Sequence, residues 1–313
     1  MTLARSLRAI AFILALAAPA TLASQNTSSP PPPARVTLLL AERELASNVY
    51  RDGYAKGILE ALDERGAFLY EAAPVIVGRE HARALLDAQK PLATLRIVSQ
   101  PITAVVSTDG NFGIAYGTSL VSDAALPRDS LPRPASYINV WRRPPNGAWK
   151  LIARVDAGLV DPSTVVLPDA IRSLPPVRGA LMNRPLLDYA QADAAFSRVA
   201  GESGAPAAFG QYAAPDGATF GGSGAINLGP LAIRSSLQTS RSAQSAWSWR
   251  PVYGAASAGG DLAYTVGEAT IRPPNAAAAD VYYGKYLTVW RRQADGSLKY
   301  LVDAGNSIPA PAP

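Results

Sequence analysis

Asp156 and Asp303 recur in matching runs, Val-Asp-Ala-Gly, and each closes a segment that alternates apolar and polar residues. Asp303 could serve as a base if its strand faces an interior. The same Asp-Ala-Gly context also serves as a simple strand-ending cap. Glu268 sits in the middle of another alternating run, in phase with Tyr264 and Val266, while the residue 150 positions earlier is Thr118. It is the most suggestive of the carboxylates: in an apolar pocket its pKa would rise and it could act as a general acid or base, and on a wet face it is one half of a pair with an arginine such as Arg250. Asp303 and Glu268 are therefore the candidate catalytic residues, with a tyrosine as oxyanion donor. The candidate ligand contacts are Tyr212, Trp247, Trp249, Tyr264, Tyr286 and Trp290, and, in the first half of the chain, Tyr137 and Trp141. Such rings give a pocket its contact area, and they serve equally well as plain core.

Other chemistries lack their residues. His81 is the single histidine and there is no cysteine, which is poor material for the convergent ligands that a metal needs. No Gly-x-Ser-x-Gly elbow occurs, and Gly221-Gly-Ser-Gly224 lacks the Gly-Lys-Ser/Thr ending of a phosphate loop. No metal and no cofactor is expected.

The elements that position these residues come twice. Residues 137–158, opening Tyr-Ile-Asn-Val-Trp-Arg-Arg, return at 286–305 as Tyr-Leu-Thr-Val-Trp-Arg-Arg, both ending in Val-Asp-Ala-Gly. Residues 96–121 align with 246–271 at a constant offset of 150, which places Pro101 on Pro251, Ser107 on Ser257, Gly110 on Gly260 and Gly117 on Gly267. Gly78 and Arg83 match Gly229 and Arg234 at an offset of 151. An internal repeat of this length means that each copy is one folding unit. In the first copy helical apolar spacing covers Leu38–Tyr50 and Tyr54–Leu62, with a short strand at Ala67–Tyr70 and a helix at Glu80–Ala88. Period-two runs then follow at 92–107, 111–122, 136–143 and 148–157. The second copy repeats the order, with helices at 187–200, 204–211 and 230–238, a strand at 218–220, and long strands at 246–257, 261–272, 281–293 and 297–304. Helices followed by a meander predict an α+β fold, with helices over one face of a curved antiparallel sheet. Alternation puts Tyr286, Thr288 and Trp290 on one face and Leu287, Val289 and Arg291 on the other. Tyr137, Asn139 and Trp141 likewise oppose Ile138, Val140 and Arg142. The aromatic faces are expected to line the two interiors and the aliphatic backs to pack together, an intramolecular pseudo-dimer in a monomeric chain.

Ala213-Ala-Pro-Asp-Gly-Ala-Thr-Phe220, the Gly229-Pro230 opening of a short helix, and Tyr286-Leu-Thr-Val-Trp-Arg-Arg-Gln-Ala-Asp-Gly-Ser-Leu-Lys299 resemble the nuclear transport factor 2-like superfamily. More narrowly, they resemble its ketosteroid isomerase and SnoaL-type polyketide cyclase branch, with its bacterial domains of unknown function. The second copy is similar along nearly its whole length, and the first through Leu62-Asp-Glu-Arg-Gly-Ala-Phe68, Gly78 and the last two strands. The resemblance implies two tandem cone-shaped domains, 36–158 and 187–305, each a curved antiparallel sheet capped by N-terminal helices around a pocket. It transfers no activity, because members range from isomerases to scaffolds. In the isomerase branch a base faces a phenolic donor; Tyr50, Tyr54, Tyr212 and Tyr264 offer phenols, but none matches that pair by position.

Arg5 and Arg8 followed by the apolar run Ala9–Ala20 read as a secretory signal, 1–23, cleaved after Ala20 or Ala23. A proline-rich tether, 24–35, a proline-rich connection, 159–186, and a tail, 306–313, complete the division. A chain without cysteine, exported and near 290 residues once cleaved, fits a bacterial periplasm or secretion. The net charge of +5 becomes +3 without Arg5 and Arg8, and the 5 lysines and 24 arginines form no run. No nucleic-acid partner and no stable membrane insertion after cleavage are expected. Three readings stay open: binding of a small, mainly apolar molecule; an isomerase or cyclase using a pocket carboxylate and tyrosine; and a non-catalytic assembly domain.

Overall fold

The computed structural model describes residues 33–127, 129–145, 147–172, 184–220, 225–277 and 280–310. The expected signal, most of the tether and residues 173–183 of the connection lie outside the described residues. Helix α1 (Ala34–Asp52) begins directly after Pro33 and buries Leu38, Glu42, Leu45 and Val49, one stripe at helical spacing. Gly53, at φ +91°, breaks the chain into α2 (Tyr54–Ala61). Gly57 lets the two helices cross closely, since a Cβ there would stand 2.7 Å from the Val49 nitrogen. Then come β1 (Leu62–Leu69), β2 (Ile76–Val77), α3 (Arg79–Asp87), β3 (Leu95–Val106), β4 (Phe112–Asp123), β5 (Arg133–Arg142) and β6 (Lys150–Ala157). A short helix, α4 (Asp169–Arg172), lies in the connection. The second copy follows as α5 (Arg184–Ser203), α6 (Ala205–Tyr212), β7 (Ala213–Phe220), β8 (Ile226–Leu228), α7 (Gly229–Gln238), β9 (Ala246–Ala256), β10 (Leu262–Arg272), β11 (Tyr282–Arg292) and β12 (Leu298–Ser307).

Two six-stranded sheets result, in the orders β2-β1-β6-β5-β4-β3 and β8-β7-β12-β11-β10-β9. The four long strands of each copy form the expected antiparallel meander. The sheets as wholes are mixed, because β1 joins β6, and β7 joins β12, in parallel. No hairpin ties those strands together; each pair is separated by the rest of its copy, so its direction is set by packing rather than by a tight turn.

The repeated glycines mark close approaches. A Cβ on Gly117 would lie 2.2 Å from the Gln100 oxygen and 2.7 Å from the Tyr137 hydroxyl. On Gly267 it would lie 2.2 Å from the Arg250 oxygen and 2.3 Å from the Tyr286 hydroxyl. Both glycines face a bulge, at Pro101 and at Pro251, and both let a tyrosine ring lie across the sheet.

One apolar layer joins the copies. Phe112, Ile114, Ile138, Val140 and Val155 of the first sheet share a cluster with Tyr264, Val266, Leu287, Val289 and Val302 of the second. The turns opening β4 and β10 cap each other: Asp261 accepts the Thr108 amide at 2.8 Å, and Asp109 accepts the Ala258 amide at 3.1 Å. Asn306 adds a seam, donating to the carbonyls of Leu69 and Asp156 at 2.9 and 2.8 Å. The opposite faces of the sheets belong to separate cores under their own helices. The described start of the 159–186 connection is part of the first core: Leu159, Val160 and Ile171 are buried, and Gln89 exchanges hydrogen bonds with the Val166 backbone. Pro162 opens a short helical turn and Pro168 directly precedes α4, while the aliphatic residues Leu159, Val160 and Ile171 dock.

Leu287 is fully buried in the shared layer. Leu287→Ala is expected to cost about 2–5 kcal/mol, read by urea unfolding, with fluorescence and far-UV signals from both copies shifting together.

Candidate functional site

Strand alternation turns Tyr286, Thr288 and Trp290 of β11 inward under α5 and α6, as the sequence pattern predicts. Asp303, on the neighbouring β12, pairs with Thr288 across the ladder, and the Thr288 hydroxyl donates to Asp303 Oδ2 at 2.5 Å. The α5 stripe Tyr189, Asp193, Phe196 and Ala200 meets this face. Asp193 accepts from Trp249 Nε1 at 2.8 Å and from the Tyr286 hydroxyl at 2.9 Å. The Thr265 hydroxyl is its third donor, and Thr265 in turn receives Trp290 Nε1 at 2.9 Å. Burial pushes Asp193 up to about 6 even against these three donors. Burial also pushes Asp303 up to about 7, reduced by Thr288 and reinforced by the negative charge of Asp193. Beside this pair lies a cavity of about 300 Å³, walled by Phe196, Phe209, Trp247, Trp249 and Tyr286, with Asp303 and Gly305 also in its lining. Asn227, Ser236 and Ser240 add polar groups to the described lining.

The corresponding interior of the first copy is full. Glu42 of α1 accepts from Asn139 Nδ2 at 3.0 Å and from Trp141 Nε1. Arg154 donates to Asn139 at 2.6 Å and to both Asp156 oxygens at 2.8 and 2.6 Å, while the Tyr54 hydroxyl donates to Asp156. The guanidinium carbon stands 5.1 Å from the Tyr137 ring and 5.8 Å from the Tyr54 ring. Burial raises Glu42, opposed by Asn139, Trp141, Arg154 and Tyr137. Burial by itself would lower Arg154; the charge of Asp156 and the contact with Tyr54 outweigh it. Every charge here has a partner, which is the condition for keeping ions in a core.

Strand register gives a different correspondence from the repeated motif. Asn139 pairs with Arg154 and Tyr137 with Asp156, whereas Thr288 pairs with Asp303 and Tyr286 with Gly305. Because Tyr137 and Asn139 correspond to Tyr286 and Thr288, Asp303 occupies the place of Arg154, and Gly305 that of Asp156. The two Val-Asp-Ala-Gly runs are thus two residues out of step, and both aspartates still face inward because two is the period of a strand. Glu42 and Asp193, 151 apart, do correspond, and sequence reasoning missed both. The signal was present as an acid inside an apolar helical stripe.

Of the sequence-selected residues, the structure brings Trp247, Trp249, Tyr286 and Asp303 together at the cavity. Tyr264 and Glu268 are corrections. Tyr264 lies in the layer between the sheets, 6.4 Å from the Phe112 ring, with its hydroxyl 3.3 Å from the Ile152 oxygen. Glu268 shares that back face toward its edge and pairs with Arg250 at 3.1 Å. Residues in phase with Tyr264 point away from Trp290, because directly paired residues share a face: Tyr264 faces with Val289, and Glu268 with Arg250. Trp290 is fully buried and Tyr212 packs beside it on Phe196, both as core rather than cavity wall. Tyr137 and Trp141 belong to the filled first copy. His81 is exposed, its Nδ1 2.9 Å from the Val77 oxygen, and among the described residues no three metal-binding side chains converge.

Two outcomes follow from the contrast. Arg154→Met leaves the buried Asp156 carboxylate without its cation and is expected to cost about 3–5 kcal/mol in urea unfolding. In the second copy Asp193 and Asp303 hold their protons more tightly folded than unfolded, where an aspartate titrates at about 3.9. Folded protein therefore binds more protons between that value and about 7, and stability falls as pH rises through this window. Asp303→Asn removes part of that loss, so its melting temperature relative to the unsubstituted chain is expected to be higher at pH 8 than at pH 5. A difference independent of pH would contradict the placement of Asp303 against the aromatic interior.

No family model and no curated protein matches the chain. It is similar to solved structures, among them a ketosteroid isomerase-like protein from Erwinia carotovora atroseptica at 13% identity and TM-score 0.33, covering 41% of this chain and 97% of that one. An NTF2-like protein from Cytophaga hutchinsonii is similar at 14% identity and TM-score 0.30, over 39% and 96% of the two chains. ActVI-ORFA from Streptomyces coelicolor is similar at 17% identity and TM-score 0.31, over 39% and 94%.

Proposed function

We propose that this is an exported protein whose second copy binds a small, mainly apolar molecule, with the first copy as its filled structural companion. The cavity of about 300 Å³ with its aromatic wall carries the reading; its size lies at the lower end of small-ligand sites. Export is supported by Arg5, Arg8 and the apolar run Ala9–Ala20. A proton-transfer reading draws support from Asp303, whose carboxyl is pushed up to about 7 by burial. The phenols around it are already committed, however: Tyr286 donates to Asp193 and Tyr300 to the Phe209 oxygen. An oxyanion formed beside Asp303 would find neither hydroxyl free, which favours binding over chemistry.

Mass spectrometry of small molecules retained by protein purified from the periplasm tests the reading directly, and the intact mass should begin at Thr21 or Ser24. Ala269 lines the cavity on the inner face of β10. Ala269→Trp is expected to weaken binding of the neutral fluorophore N-phenyl-1-naphthylamine by about tenfold or more, the loss of roughly 1.4 kcal/mol of contact. Unchanged binding would place the fluorophore elsewhere and defeat the proposal.

A further inference from the structure

Resting on that binding reading, we infer that the ligand of the second copy is a small organic ammonium, whose cation sits against the aromatic wall and meets the carboxylate of Asp303. The first copy supplies the internal precedent. Its interior already encloses a cation, the Arg154 guanidinium, between the rings of Tyr137 and Tyr54 and bonded to Asp156. The second copy keeps the acid on the helix, as Asp193, and a second acid on the last strand, as Asp303, but β12 carries no arginine at the inward positions. Gly305, in the place of Asp156, brings no second carboxylate to the cavity lining.

No described cation answers these two carboxyls. Lys285 borders the cavity, but it pairs with Glu268 and Asn306 on the back face, donates to the Ser307 oxygen at 2.7 Å, and feels the charge of Glu71. Lys299 reaches the Gln211 oxygen outside the cavity. The groups that face Asp303 are Asp193 on α5, Tyr286 on β11, and Tyr300 and Thr288, none of them positive. The aromatic wall also discriminates. Trp249 Nε1 and the Tyr286 hydroxyl are given to Asp193, and Trp247 Nε1 to the Ser242 oxygen at 3.2 Å. An anion would find these N–H and O–H groups occupied, whereas a cation finds ring faces and an acid. Ammonium groups are attracted to such faces, more strongly when water is excluded.

Titration calorimetry on the full mature chain compares phenyltrimethylammonium with tert-butylbenzene, which has the same shape without the charge. The ammonium is expected to bind at least about tenfold more tightly at pH 8. Its advantage should shrink at pH 5.5, where Asp303 and Asp193 take up protons, and vanish in Asp303→Asn. Retained tert-butylbenzene binding in that variant shows the cavity intact. Equal or tighter binding of tert-butylbenzene to the unsubstituted chain overturns the ammonium inference and leaves the binding reading standing. An ammonium preference that survives Asp303→Asn overturns the assignment to Asp303, and failure of both compounds to bind overturns both readings.

Discussion

The shared apolar layer between the two sheets is the constraint from which the rest follows. Once the aliphatic backs of β4–β6 and β10–β12 are committed to one another, each inner face must be covered by its own helices. Hydrophobic burial is non-directional, so the layer alone does not orient the sheets. The reciprocal caps of Asp109 and Asp261 and the Asn306 seam supply the direction. What lies inside each copy is then free to differ, because neither interior contributes to the joint.

The interiors have used that freedom. The first is closed by a chain of charge-assisted hydrogen bonds from Glu42 through Asn139 and Arg154 to Asp156 and Tyr54, each member buried and each satisfied. The second keeps a helix acid and a strand acid without the arginine, and burial pushes both acids toward neutrality. A filled polar core fixes one arrangement firmly. A hollow one with unneutralised acids is destabilised at high pH, a common condition of sites that have something to bind.

Much of this was legible in the residues. Period-two runs located the eight long strands, and the glycine and proline offsets aligned the copies, because a bulge opposite a glycine is a backbone requirement that tolerates little change. Which face of β11 turns inward was also readable from Tyr286, Thr288 and Trp290. Tyr264 and Glu268 were misplaced, since phase along β10 can be related to β11 only through pairing, which the sequence does not state. Glu42 and Asp193 were passed over for a related reason: a helix acid looks solvated until the surface that covers it is known. The parallel joining of β1 and β7 is a long-range contact with no turn to announce it.

The two-residue slip between the Val-Asp-Ala-Gly runs bears on how these copies could diverge. A strand drifting by an even step keeps each side chain on its own side, so Asp303 stayed among the aromatics; an odd step would have driven a carboxylate into the joint and parted the sheets. Sequence identity between duplicated strands is therefore a poor guide for transplanting one interior into the other. A graft meant to plug the hollow half would put its arginine at 303, which the ladder makes the spatial equivalent of Arg154, while 305, the equivalent of Asp156, takes no side chain without a backbone shift, since a Cβ there would stand 2.5 Å from the Lys285 oxygen.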